Sequence, residues 1–416
     1  MIFLVVLLLA SFGHGFLWVG LVNRIHAWAG PRLVIDLLTL FCVLAFAGIP
    51  LAIAYAWLEW CLGGETWGFA GPFSPNQAVS SVLQPAIWKA TYLDLCAVLG
   101  GGTILWRLLG PRRVDPPNTL LNRQVHRLDL ASMSCQPLPV DRLARLLNLV
   151  PANQMLDLSV EKKQIALPRL HKSYQGLSIL HISDLHMTGR IDCEFFRLVA
   201  NEVNALQPDI IALTGDILEN RACYPWLAES LGRMQARFGK YFILGNHDHF
   251  ADFSKTRRLL SELGWIDVGG CWLPVSCLGT SAVVGGNELP WFSPAADLAA
   301  DHPDLPNDPS ATMGANSALR SEGELFRIVL THSPDQFPWC CRCHADLVLA
   351  GHTHGGQICL PLLGPVACPS RYGTRYAGGV YRKEGTVMHV SRGISGEFPI
   401  RWNCPPEIAL LELVQG

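Results

Sequence analysis

His352 and His354 stand two residues apart in Gly351-His352-Thr353-His354-Gly355-Gly356, directly after the run Asp346-Leu347-Val348-Leu349-Ala350. A short apolar run that ends in glycine predicts a buried strand opening into a tight loop. Two imidazoles at such an end can turn their nitrogens into one cavity, and neutral imidazole is a common transition-metal ligand. The pattern repeats upstream. Asp184 and His186 follow the apolar run 177–182, and Asp216 follows 209–213 in Thr214-Gly215-Asp216. Asn246, His247 and Asp248 follow 241–244, and His332 follows 327–330. Taken singly, such an aspartate reads as a helix cap and such a histidine as packing. Five strand ends that all offer nitrogen or oxygen donors beside turn residues read instead as one metal centre gathered from separate loops.

The elements between these ends must bring them together. Helical periods cover 194–206, 221–238 and 254–263, with further strand-like runs at 155–167, 265–275, 280–285, 379–381, 386–390 and 408–414. This alternation predicts an α/β fold with its donors at the carboxyl ends of strands, where open sheets place their sites. Residues 293–321, rich in Ala, Pro, Asp, Asn and Ser, show no periodicity and read as a surface insertion. His181, His249 and His389 fit no ligand position and read as packing or surface residues. Cys340, Cys341, Cys343 and His344 lack the second pair that a zinc knuckle needs. The 14 cysteines show no regular disulfide spacing and point to a reducing compartment.

The chain divides by composition into a membrane domain (1–110), a polar connector (111–154) with a short helix near 140–149, and an α/β domain (155–416). The apolar runs 2–22 and 33–57 are long enough to cross a bilayer, and 87–109, with Lys89, Asp94 and Gly100-Gly101-Gly102, is a third candidate. The first run lacks a basic leader and a small-residue cleavage site, so it reads as a retained helix. Trp57, Trp60, Trp67 and Trp88 suit an interfacial belt. Arg24 and Arg32 lie in the first connection, the second holds no Lys or Arg, and Arg112, Arg113, Arg123 and Arg127 follow the third run. With three spans this bias predicts a multi-pass protein whose α/β domain is cytoplasmic. A net charge of −2 gives no reason to expect a nucleic-acid partner.

The ordered set Asp184-x-His186, Gly215-Asp216, Gly245-Asn246-His247-Asp248, His332 and Gly351-His352-Thr353-His354 resembles the calcineurin-like metallophosphoesterase superfamily. The likeness runs over 155–416. Its later part, with Gly356-Gln357-Ile358, Ser370-Arg371-Tyr372-Gly373 and 392–407, looks like the bacterial membrane-associated branch. The resemblance implies a four-layer α/β/β/α sandwich of two mixed sheets, here preceded by amino-terminal transmembrane helices. It implies one metal held by Asp184, His186, Asp216 and His354, and a second by Asp216, Asn246, His332 and His352. It also implies His247 as a hydrogen donor to the leaving or phosphoryl oxygen, with Asp248 orienting it. Two divalent ions (Mn, Fe or Zn by the mixed donor set) would then drive hydrolysis of phosphodiester or pyrophosphate bonds through a bridging hydroxide. The membrane segments point to a lipid-linked phosphate ester. A nuclease or phosphoprotein phosphatase on the same fold, or a membrane scaffold with an unused metal site, are the alternatives. Arg371, Arg375, Arg392 and Arg401 are candidates for a second substrate phosphate, and Asn287-Glu288 departs from the superfamily pattern, which expects an aspartate pair there.

Overall fold

The computed structural model describes residues 2–63, 85–109, 114–277, 280–297, 325–396 and 398–416. The chain forms two compact units, 1–112 with Pro361–Pro369, and 113–360 with Ser370–Gly416.

The first unit contains three helices: α1 (Ile2–His26), α2 (Arg32–Gly63) and α3 (Pro85–Leu109). Each contains a stretch long and apolar enough to cross a membrane: Leu4–His26, Arg32–Tyr55 and Thr91–Leu109. Pro50 lies inside α2 and has no N–H, so the carbonyl of Phe46 one turn earlier loses its helical partner. His14 of α1 meets that carbonyl through Nε2 at 2.9 Å. With Nε2 donating, Nδ1 must accept, and the Tyr92 hydroxyl of α3 donates to it at 2.6 Å. Trp18 Nε1 completes the set by donating to the Tyr92 oxygen at 3.0 Å. The glycine run that weakened the third segment in the sequence has a packing role. A Cβ at Gly100 would lie 2.1 Å from the Leu9 carbonyl oxygen, so only glycine lets α3 approach α1 this closely. The proposed tryptophan belt lies outside the described side chains.

The second unit starts earlier than composition indicates. Residues read as a connector supply β1 (Leu120–Asp129), which pairs antiparallel with β2 (Asp157–Leu167) along nearly its whole length. Two short helices lie between them, α4 (Leu130–Met133) capped by Asp129 and α5 (Arg142–Asn148) capped by Asp141. Polarity concealed β1 because it is an edge strand exposed on both faces, which carries no alternating pattern. Then follow β3 (Ser178–Ile182), α6 (Cys193–Ala205), β4 (Ile210–Thr214), α7 (Tyr224–Glu229), β5 (Gly239–Ile243), α8 (Phe253–Glu262) and β6 (Trp265–Asp267). The helix expected over 221–238 is only α7, flanked by 3-10 turns at Arg221–Cys223 and Leu231–Arg233, the latter containing the poor helix former Gly232.

The second half contains β7 (Trp272–Cys277), β8 (Thr280–Asn287), β9 (Phe326–Thr331), α9 (Phe337–Arg342) and β10 (Leu347–Ala350). The short strands β11 (Cys359–Leu360) and β12 (Gly364–Pro365) precede β13 (Gly379–Lys383), β14 (Thr386–Val390) and β15 (Glu407–Gln415). Most of the expected insertion, residues 298–321, lies outside the described residues.

A seven-stranded sheet runs β1-β2-β15-β3-β4-β5-β6, and a six-stranded sheet runs β13-β14-β10-β9-β8-β7. Both are mixed, with β3 to β6 parallel in the first and β8, β9, β10 and β14 parallel in the second. Ile179, Ile210, Ile243, Ile328, Leu347 and Leu411 belong to one buried cluster that joins the facing sheets. A second cluster seats Phe195, Val199 and Leu227 of α6 and α7 on the outer face of the seven-stranded sheet. A third seats Phe337 and Cys340 of α9 on the outer face of the six-stranded sheet. The result is the four-layer α/β/β/α sandwich, in which the parallel strands of both sheets end side by side.

Candidate metal centre

The carboxyl ends of β3, β4, β5, β9 and β10 carry Asp184 and His186, Asp216, Asn246, His332, and His352 and His354. The structure brings all of them together. Ligand-capable atoms of Asp184, His186, Asp216 and His354 lie within 4.8 Å of one another, as do those of Asp216, His332 and His352. Asp216 belongs to both groups. Asn246 joins the second, its Oδ1 at 3.1 Å from His332 Nε2.

The loops reach this convergence through unusual backbone. Among the described residues thirteen non-glycine positions hold positive φ, and Asp184, His186, Asp216, His352 and His354 are five of them. Such conformations cost roughly 1–3 kcal/mol each and persist where surrounding structure imposes them. A Cβ at Gly245 would lie 2.3 Å from Asp216 Oδ1, so the β5 loop can touch the β4 loop only through glycine.

The hydrogen bonds behind the donors show that a cation fits between them. His186 gives Nδ1–H to Glu219, and His354 gives Nδ1–H to the Ser395 carbonyl at 3.2 Å. Their Nε2 atoms are therefore lone-pair nitrogens, yet they face each other at 3.1 Å. His332 likewise gives Nδ1–H to the Thr214 carbonyl at 2.7 Å, turning Nε2 toward Asp216 Oδ2 at 3.2 Å. Buried His352 Nε2 has no hydrogen-bond partner. Acceptors converging on acceptors in a buried site call for a positive charge. Burial lowers the pKa values of His352 and His354 well below 6.5, which keeps both imidazoles neutral for coordination. Burial would lower His332 too, but the Asp216 carboxylate outweighs it and raises that pKa to about 9.

His247 sits beside this cluster, its ring 4.8 Å from that of His186. Its Nδ1 faces Glu219 at 3.0 Å, so Glu219 orients both His186 and His247. Burial alone would raise the Glu219 pKa, but the His186 and His247 imidazoles beside it bring it down to about 2. Glu219 was missed in the sequence. The available signal was an acid three residues after Asp216, on the same strand-end loop. Glu219, rather than Asp248, faces the His247 imidazole. Asp248 instead accepts from the backbone N–H groups of Asp216, Ile217, Leu218 and Gly245, tying the β4 and β5 loops together.

Other candidates fall into supporting places. Arg401, fully buried, donates to the carbonyls of His354, Arg392 and Ser395 and so fixes the β10 loop. Arg392 is engaged with Glu161 and Glu407. Glu288, at the departure from the superfamily pattern, caps the end of β5 by accepting from Leu244 N at 2.6 Å. The following loop brings Trp291 to 4.9 Å from the His352 ring, a wall of the site with no sequence signal.

His181 and His389, read as packing, are members of a buried polar chain. Lys163 directs its three N–H bonds to Glu407 (2.5 Å), Glu161 (2.9 Å) and His389 Nε2 (2.8 Å). His389 Nδ1 then donates to His181 Nδ1 (2.8 Å), and His181 Nε2 to the Thr214 hydroxyl (2.9 Å). Thr214 donates in turn to Ser183 at 2.7 Å. Ser183 and Thr214 are the residues on which Asp184 and His332 rest.

Comparison with known proteins agrees with this geometry. The profile of the family described as Calcineurin-like phosphoesterase, whose members hydrolyse phosphate esters, matches residues 177–356, which include all seven donors. The metallophosphoesterase YkuE of Bacillus subtilis is 31% identical over 244 residues, 58% of this chain and 80% of that protein. A zebrafish (Danio rerio) transmembrane protein with metallophosphoesterase domain is 29% identical over 270 residues, 61% of this chain and 56% of that protein. The UDP-2,3-diacylglucosamine pyrophosphatase LpxG of Chlamydia trachomatis is 25% identical over 298 residues, 59% of this chain and 86% of that protein. Sheets, strand-end donors and relatives coincide over the same residues, and the chain belongs to the calcineurin-like metallophosphoesterase family.

Proposed function

We propose that this protein is a membrane-anchored hydrolase that uses two divalent transition-metal ions to cleave phosphodiester or pyrophosphate bonds in a lipid-linked substrate. The observation that carries this reading is the pair of facing acceptor sets, His186 Nε2 against His354 Nε2 and His332 Nε2 against Asp216 Oδ2. Asp184, His186, Asp216 and His354 would hold one ion, and Asp216, Asn246, His332 and His352 the other. When bound, such ions neutralise phosphoryl oxygens and lower the pKa of a water nucleophile. The mixed N/O donors favour Mn, Fe or Zn over Mg or Ca. His247, with Nδ1 held by Glu219, presents Nε2 to the leaving oxygen as hydrogen donor. Trp291 limits water on the His352 side. The lipid component is supported by the apolar helices and by the diacylated substrate in the name of the Chlamydia relative.

Full-length protein loaded with Mn²⁺ and desalted is expected to retain about two ions per chain by elemental analysis. It is also expected to hydrolyse bis-p-nitrophenyl phosphate and nucleoside-diphosphate lipids. A metal-free protein inactive on both overturns the reading. The Lys/Arg bias around three spans supports a cytoplasmic catalytic unit. A reporter fused after Gly416 should then be cytoplasmic, and one inserted between α2 and α3 should lie across the membrane. Both reporters on the far side would mean that the third helix does not cross.

A further inference from the structure

The loop that holds His354 borders an exposed apolar surface. Gln357, three residues on, donates to the Phe398 carbonyl at 3.2 Å and accepts from Trp402 N at 2.9 Å. Asn153 joins this loop to the end of α5, donating to the carbonyls of Leu147 at 2.9 Å and Pro399 at 3.1 Å. These bonds gather Leu146, Leu149, Val150, Phe398 and Trp402 into one region. All five are exposed, Leu149 by 78%, Phe398 by 57% and Trp402 by 42%. Contiguous apolar exposure of this kind marks a contact surface rather than incidental surface residues.

We infer that this rim inserts into the interfacial layer of a phospholipid bilayer and admits the acyl part of a substrate whose phosphate lies at the metal centre. The inference rests on the membrane-anchored reading above. Three observations select a bilayer over a protein. First, the same chain carries three helices long and apolar enough to cross a membrane. Second, the charge on α5 suits anionic lipid. Arg142 and Arg145 are exposed beside Leu146 and Leu149, while the acid at its cap, Asp141, is paired with Arg190 at 3.0 Å. Cations flanking large apolar side chains are the pattern of interfacial helices. Third, the rim contains a tryptophan and a phenylalanine, which suit the headgroup layer.

The test uses full-length protein in nanodiscs of phosphatidylglycerol and phosphatidylcholine, carrying Leu149→p-benzoylphenylalanine or, separately, Phe398→p-benzoylphenylalanine. Irradiation should give a protein–phospholipid adduct by mass spectrometry at both positions. Ile266→p-benzoylphenylalanine, on the opposite edge strand β6, should give none. Crosslinks to a second copy or to another segment of the chain, or an absence of adducts in disc-bound protein, overturn the inference. Protein that does not co-purify with the discs overturns the membrane-anchored reading and this inference with it. The Leu149→Ser/Phe398→Ser double variant should lose about tenfold in kcat/KM on a disc-embedded pyrophosphate lipid. Its kcat/KM on soluble bis-p-nitrophenyl phosphate should match the parent. An equal loss on both substrates would show damage to the metal centre and overturn the surface role, whereas absent diesterase activity in the parent would refute only the catalytic reading.

Discussion

His247→Ala is expected to lower kcat by about 10²–10⁴-fold, the contribution of a well-placed proton donor, while metal content stays at the parent value. The two halves of this result follow from separate contacts. His247 shares Glu219 with His186 but is not among the acceptors that face one another across the metal positions. Its loss should therefore spare coordination and remove the group aimed at the leaving oxygen. The defect should shrink on p-nitrophenyl esters, whose leaving group departs without protonation, and be largest on alkyl or sugar esters. An equal defect on all esters would assign His247 to the phosphoryl oxygens instead. Loss of metal would make it a ligand. Glu219→Gln should reproduce part of the kcat defect and also weaken metal retention, because Glu219 orients a donor as well. Comparison of the two variants by steady-state kinetics and elemental analysis separates the roles.

The second large effect is on stability. Lys163→Met should destabilise the folded protein by about 3–5 kcal/mol, the cost of leaving buried charges without their partner. Lys163 and Glu407 are almost fully buried and Glu161 wholly so, and both carboxylates receive an N–H from that ammonium. Lys163→Met/Glu407→Gln should recover part of the loss, since the remaining carboxylate keeps Arg123 and Arg392. Thermal unfolding of the full-length protein checks both. The acid dependence follows from the same network. Burial alone would raise the Glu407 pKa, but Arg392 and Lys163 hold it well below 4.5. Its stabilising share is thus complete above that value and is lost as pH falls through the folded pKa. Burial holds His181 and His389 below 6.5, so the unfolded chain takes up their protons first. Stability should therefore begin to decline below about pH 6.5, before the carboxylates contribute.

Strands that end in donors were legible because a buried parallel strand is a continuous apolar run and its loop needs glycine. Hence β3, β4, β5, β9 and β10 all fall where the sequence places them, within a residue or two. β1 was not, because an edge strand exposed on both faces looks like a polar connector. Glu219 and Arg401 escaped for a different reason. Their roles are set by what they face, Glu219 two imidazoles from other loops and Arg401 three carbonyls, and those contacts exist only once the loops are folded. His181 and His389 were read as packing or surface residues, and their alignment between Lys163 and Thr214 depends on strands that pair only in three dimensions.

Pro50 has a consequence for how the first unit is put together. A helix that enters hydrocarbon with an open carbonyl at Phe46 bears an unmet acceptor where no water can reach it. His14 meets that acceptor, but its ring is held in the right tautomer only when Tyr92 arrives on the third helix. None of the three helices is therefore complete alone, and a slip of one turn, about 5.4 Å, would strand both the carbonyl and the imidazole. The proline thus works as a depth gauge: it lets the three helices settle at one height relative to each other and at no other.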